Sequence, residues 1–290
     1  MTTIRPRRSW LRGLALTLGA LLVAFLTFAI PRLGEELPPP ATNRQSGRLA
    51  RVTIFGATGR VGEGILTAAL RDTAVTRIQV VTRRTSPAIE RGLASGKVHS
   101  VTHDDYLDYG PLAPVLAETD VIYWAIGTST LNVDSAEYAR IHREFPQALL
   151  RQWAAVRGRD RRPTFHYVSG AGADLAAWAR WAREKARAEQ ELAALGEHLG
   201  VTVVSYRPAG VVPVEGNADF GLRFRVTNLI FLPTKISVEA NAIGEAMLEV
   251  TARGEVTNGQ VLPHRELIRL AAGYRRVTGR GGRGAAGPSP

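Results

Sequence analysis

Residues 13–30 form an uncharged run rich in Leu and Ala that Pro31 ends, and from residue 51 onward the pattern changes to short apolar runs alternating with helical spacing. Residues 52–55 are β-branched or aromatic, and Val61, Ile65, Leu66, Ala69 and Leu70 then recur on one face of an amphipathic helix. Residues 77–82, 97–102, 120–126, 165–169 and 201–206 read as five further strands, with helices expected over 134–156 and 173–198. Residues 120–126 are almost continuously apolar, as a parallel strand covered on both faces would be. The alternation predicts an α/β fold, a doubly wound parallel sheet of the Rossmann kind, with ligand at the carboxyl ends of its strands.

The first run, preceded by Arg5, Arg7, Arg8 and Arg12, is just long enough to span a hydrocarbon core of ~30 Å, with Trp10 extending it into the interface. Two readings stand: an uncleaved single-pass anchor, or a signal sequence cut after a small residue such as Ala29. Arg7-Arg8-Ser9-Trp10-Leu11-Arg12 also resembles a twin-arginine export signal. The expected organisation is an anchor or signal over 1–30, a Pro-rich linker over 31–50, a nucleotide-binding domain over 51–274 and a disordered tail over 275–290. Membrane contact is expected through residues 10–30. The basic flank argues for an exported domain, whereas Arg32, Arg44, Arg48 and Arg51 on the other side weaken that asymmetry and leave the cytoplasmic face open.

The formal charge of +11 does not make the domain a nucleic-acid binder. Eight arginines against two glutamates lie in residues 1–51 and four arginines in 275–290, so the body between them is close to neutral. Its internal basic cluster, Arg157, Arg159, Arg161 and Arg162, reads as a solvated loop. The absence of cysteine removes thiolate catalysis, disulfides and cysteine-ligated zinc. His99 and His103, four apart in a strand-like stretch, do not suggest a shared metal, and no metal site is expected.

The chemistry is concentrated after the first strand. Gly56, Gly59 and Gly62, spaced three apart with Thr58, Arg60 and Val61 between them, meet the requirements of a dinucleotide turn: a tight exit from the strand, backbone approach to a pyrophosphate, and a helix N-terminus facing the anion. The second strand ends in Arg83-Arg84, where an NAD-selective site would carry an acidic residue. Arginine there, with Arg60 in the turn, favours the 2′-phosphate of NADP, with NAD as the alternative.

With these residues the chain resembles the short-chain dehydrogenase/reductase superfamily, in its atypical branch of NAD(P)H-binding proteins related to the Tat-interactive-protein type of oxidoreductase. The resemblance covers roughly residues 50–272. It rests on the glycine turn, Asp105-Tyr106, Ala125-Ile126-Gly127-Thr128, Tyr167-Val168-Ser169, Lys185 with Glu189, Tyr206-Arg207-Pro208-Ala209-Gly210-Val211 and the ending 261–268. It implies cofactor contacts at Asp105, Tyr106, Ala125, Gly127, Lys185 and Pro208. It also implies that Ser169 orients a substrate carbonyl, and that Lys185 holds the ribose and lowers the pKa of a tyrosine four residues before it.

That tyrosine is replaced by Trp181, which cannot exchange a proton near neutral pH. Competing local readings are an ion pair of Lys185 with Glu189 at i+4, core packing of Trp178 and Trp181, and a Tyr167 that either approaches the site or packs in the core. Residues 212–236, rich in aromatics, read as an insertion covering the substrate or touching a membrane. The function expected is an NADP-dependent oxidoreductase acting on a small carbonyl or hydroxyl compound. The alternative is a non-catalytic redox sensor or scaffold at the membrane, its insertion or tail meeting a protein partner.

Overall fold

The computed structural model describes residues 45–157, 163–214 and 237–279. The expected anchor, the middle of the insertion and Arg159, Arg161 and Arg162 lie outside the described residues. Among the described residues no helix is long and apolar enough to cross a membrane.

In chain order the elements are β1 (Arg51–Phe55), α1 (Arg60–Arg71), β2 (Arg77–Thr82), α2 (Pro87–Ala94), β3 (Val98–Thr102), α3 (Ala113–Ala117), β4 (Val121–Trp124) and α4 (Ser135–Ala139). After a π-helical turn (Arg140–Glu144) come α5 (Phe145–Val156), β5 (Thr164–Val168), α6 (Arg180–Leu199), β6 (Thr202–Arg207), β7 (Gly210–Val212), β8 (Ser237–Glu239), α7 (Ala240–Arg253), β9 (Gln260–Pro263) and α8 (His264–Val277). Seven strands form one parallel sheet in the order β3-β2-β1-β4-β5-β6-β9, and β7 pairs with β8 apart from it. The chain moves outward one way from β1 to β3 and the other way from β4, so the switch point falls between β1 and β4.

Each central strand divides its side chains between two cores. Val52, Ile54, Val80, Tyr123, Val204 and Tyr206 meet α1, α7 and α8 on one face. Phe55, Val81, Trp124, Phe165 and Tyr167 meet α5 and α6 on the other. This two-sided burial is why β4 is apolar without a break and β1 nearly so, its buried Thr53 hydroxyl pairing with that of Thr119 at 2.7 Å. Helix α8 runs on to Val277, and Arg275 donates to Glu245 at 2.6 Å.

Helices α1 and α7 touch backbone to backbone. A Cβ on Gly64 would lie 2.2 Å from the Ala240 carbonyl carbon, and one on Gly244 would lie 2.7 Å from the Gly64 oxygen. Nothing at this crossing can move aside cheaply, because the obstructing atoms are main chain. Gly64→Ala should therefore cost roughly 1–3 kcal/mol, the usual range for overpacking, and lower the melting temperature. An unchanged thermal melt would contradict the packing described.

On the α7 face the sheet buries a chain of polar groups. Tyr123 OH lies 2.8 Å from Thr251 Oγ1, which lies 3.1 Å from His166 Nε2, and His166 Nδ1 lies 2.7 Å from Tyr206 OH. Full burial pushes the His166 pKa down to about 3, so the imidazole is neutral at physiological pH. An unfolded chain, with an ordinary histidine near 6.5, binds the proton that the fold refuses. The stabilisation is therefore complete above about pH 6.5 and should be lost progressively as pH falls towards 3. Denaturant titrations between pH 7 and 4 should show this slope, and His166→Gln should make it shallower.

Candidate functional site

β1 ends at Phe55, and Gly56 turns the chain with φ +80° beneath the end of β4. A side chain at Gly56 would strike the Ala125 carbonyl at 2.7 Å, so this residue lets the turn pass under the neighbouring strand. The Gly59 amide donates to the Gly56 oxygen at 2.9 Å, closing the turn, and Gly59 becomes the N-cap of α1. Gly62 sits on top: its Cβ would fall 1.9 Å from that same oxygen. No side chain caps α1, so its first-turn amides and the positive end of its dipole remain for an anion. Gly59 would bring a Cβ within 4 Å of the Gly56 oxygen alone, which leaves its outer side clear. This arrangement suits a pyrophosphate. Thr58, Arg60 and Val61 flank the turn and are half-buried.

Arg83 and Arg84 are exposed at the end of β2, as a group meeting a 2′-phosphate must be. The Arg83 guanidinium lies over the Tyr106 ring, 5.8 Å from its centroid, which fixes one end of the arginine against a buried aromatic. Tyr106 itself packs against Phe145 at 5.5 Å and Trp124 at 6.4 Å. Asp105 points elsewhere. Its carboxylate accepts from the Leu107 and Asp108 amides at 3.0 and 3.4 Å, so its visible task is to shape its own loop.

Beyond β4, Ala125 donates to the Phe55 oxygen at 3.0 Å, and the chain passes Gly127 in contact with His142. The π-helical turn drives His142 inward: its ring stacks on Tyr138 at 4.3 Å, and Nε2 lies 3.4 Å from both the amide and the carbonyl of Thr128. Its Nδ1 has no hydrogen-bond partner. Burial, with Lys185 nearby, pushes its pKa down to about 3, so it is a neutral ring at the rim of the site. Sequence reasoning missed His142. The helix it interrupts shows no break in its apolar spacing, and π-turns of this kind often mark functional sites.

Ser169 follows β5. It is 7% exposed, and its hydroxyl has no hydrogen-bond partner. The carbonyl of the preceding residue, Val168, accepts from Lys185 Nζ at 3.0 Å, and that ammonium lies 5.1 Å from the centre of the Tyr167 ring. Burial pushes the Lys185 pKa down to about 7, opposed by the negative charge of Glu189. The expected i+4 pair with Glu189 does not form. Arg207, from β6, donates to both carboxylate oxygens at 2.9 and 2.5 Å, a bidentate geometry that a lysine on the same helix cannot match.

Three further placements differ from, or choose between, the sequence expectations. Trp178 is 96% exposed and Trp181 37%, so neither is core; the Trp181 ring lies against Gly170 and Gly172, about one van der Waals contact from where their side chains would be. Tyr167 is fully buried and donates to the His142 carbonyl at 3.2 Å, which commits it to the core. Pro208 is buried, and its carbonyl accepts from Ala171, pinning the loop after Ser169. A cleft of about 910 Å³ lined by Arg151, Glu197, His198, Thr202 and Asn258 lies at the opposite, amino-terminal edge of the sheet.

The sequence matches no family model and no curated relative. Solved structures do match in fold. The carbonyl reductase Sniffer of D. melanogaster superposes with a TM-score of 0.53 at 13% identity, over 74% of this chain and 97% of that one. A double mutant of dTDP-glucose 4,6-dehydratase from Streptomyces venezuelae with NAD bound gives 0.57 at 18%, over 79% and 81%. Vestitone reductase from alfalfa gives 0.56 at 17%, over 73% and 76%. The fold is a Rossmann fold. These similarities are of architecture, and within this Rossmann sheet the glycine turn, Gly127, Ser169 and Pro208 stand beyond the carboxyl ends of β1, β4, β5 and β6, the first two of which flank the switch point.

If the turn is the anion site, Gly62→Ala should weaken NADPH binding at least about tenfold by calorimetry, since the turn must open to admit a Cβ. Gly47→Ala, whose Cβ would meet nothing within 4 Å, should bind as the parent does. Equal binding by both variants would refute the assignment.

Proposed function

We propose that this chain is an NADP(H)-dependent oxidoreductase of the atypical short-chain dehydrogenase type, acting on a small carbonyl or hydroxyl compound. One observation carries the reading. At the end of β5 a buried lysine amine donates to the Val168 carbonyl, and the next residue, Ser169, has a buried hydroxyl without a partner among the described residues, on the same sheet edge as an uncapped helix N-terminus. In this reading the turn from Gly56 to Gly62 holds the pyrophosphate, Arg83 and Arg84 take the 2′-phosphate, and Lys185 reaches the ribose side of the site. When bound, the dinucleotide supplies or accepts a hydride. Ser169 donates a hydrogen bond to the substrate oxygen, and the Trp181 indole walls the site over Gly170 and Gly172. Residues 10–30 tether the domain to a membrane.

Trp181 in place of a proton-exchanging residue favours a second reading, a nucleotide-occupied redox sensor without turnover. The two separate cleanly. Ser169→Ala should leave NADPH affinity within about twofold and cut carbonyl reduction by at least ~100-fold, as loss of an oxyanion-side donor does. Arg83→Asp should weaken NADPH and not NADH. A parent protein that binds NADPH but turns over no compound in a broad carbonyl panel would favour the sensor.

A further inference from the structure

Lys185 belongs to a chain that uses lysine only three times, at positions 97, 185 and 235, among 37 basic side chains. Arginine is the default cation here. At Lys97 the ammonium finds three carbonyls, donating to Ala69, Leu70 and Asp72 at 2.9, 2.9 and 2.6 Å, so all three of its protons are used at the carboxyl end of α1. Lys185 is more deeply placed than the half-buried Lys97, at 8% exposed, yet it has one carbonyl acceptor, Val168 at 3.0 Å, with the Tyr167 ring centre 5.1 Å away. An ammonium has three donors, and leaving two unused in a buried setting is costly. The carbonyl it does use belongs to the residue before Ser169, whose own buried hydroxyl has no partner among the described residues.

We infer that Lys185, rather than a tyrosine, is the group that passes the proton to and from the substrate oxygen. The inference rests on the oxidoreductase reading above. In reduction, as the carbonyl carbon gains its hydride, the electron pair of the C=O π bond moves to oxygen. That oxygen takes a proton from Lys185 Nζ, the N–H bond breaks, and its electrons stay on nitrogen as a neutral amine, which water reprotonates. Oxidation of an alcohol runs the same transfer backwards, with the neutral amine as base.

The charged and titratable groups around Lys185 are compatible with such a change. From its own helix comes Glu189, whose charge Arg207 of β6 already holds. From the π-turn comes the neutral His142, and from β5 the phenol of Tyr167, whose pKa burial raises. No permanent anion is dedicated to keeping the lysine charged, and the surroundings push its pKa down to about 7. An arginine, charged at every accessible pH, could bind a ribose here but could not exchange the proton.

Two readouts on the full chain need no turnover. With [ε-¹³C]lysine labelling the protein should give three signals, and Lys185→Arg assigns one; if that variant does not fold, Lys97→Gln and Lys235→Arg assign it by elimination. The Lys185 signal should titrate with a midpoint near 7. Reductive trapping with 4-nitrobenzaldehyde and cyanoborohydride at pH 7 should then modify Lys185 faster than either other lysine. A midpoint above about 9, in the ordinary lysine range, or an aldehyde label confined to Lys97 and Lys235, would overturn the inference. Failure of NADPH to bind would instead sink the oxidoreductase reading and leave both lysine results standing.

Discussion

The structure depends on how closely helix α1 is drawn into the sheet and against α7. Three contacts of that helix are made without a Cβ: Gly62 on the Gly56 carbonyl, Gly64 on the Ala240 backbone, and Gly244 from α7 on the Gly64 oxygen. A Cβ would fall 1.9, 2.2 and 2.7 Å from these atoms respectively, so ordinary side chains would hold the helix off at each. With them absent, the uncapped N-terminus of α1 comes to rest directly behind the β1 turn, and its dipole points along the carboxyl edge of the sheet. The same glycines that permit the packing therefore set the position of the helix N-terminus proposed to hold the anion.

Along that edge the groups are divided by what surrounds them. Arg83 and Arg84 stay exposed at one end, where a charged ligand group would be met in solvent. Ser169, Lys185 and His142 are buried at the other, where a neutral amine, a neutral imidazole and a hydroxyl are the forms that burial favours. Buried groups next to the turn proposed to hold the anion are a setting in which a proton transfer can be strongly directed, because a low dielectric strengthens each interaction.

Much of this was legible in the sequence where the signal is local. The glycine spacing between an apolar strand and an amphipathic helix identifies β1 and α1, and the unbroken apolar character of β4 follows from its place in the middle of the sheet. What the sequence conceals is set by distant or subtle partners. The expected helix over 134–156 is one continuous helical run with a π-turn inside it, since a single inserted residue hardly disturbs apolar spacing, yet His142 lies within that turn and is buried. The expected helix over 173–198 begins at Arg180, because the Asp174 carboxylate accepts from the Ala176 amide at 2.7 Å and makes a turn of the preceding residues. β7 and β8, three residues each, are too short for a period of two to register. Glu189 pairs across the fold with Arg207, a choice that helical spacing alone assigns to Lys185.

The account's central claim is that a dinucleotide lies along the carboxyl edge of the sheet from Gly56 to Ser169. Hydrogen exchange of the full chain with and without saturating NADPH tests it most directly. Protection should appear in residues 56–62, 125–127 and 169–172 and be absent from residues 196–202 beside the large amino-edge cleft. Protection at 196–202 with the glycine turn unaffected would contradict it.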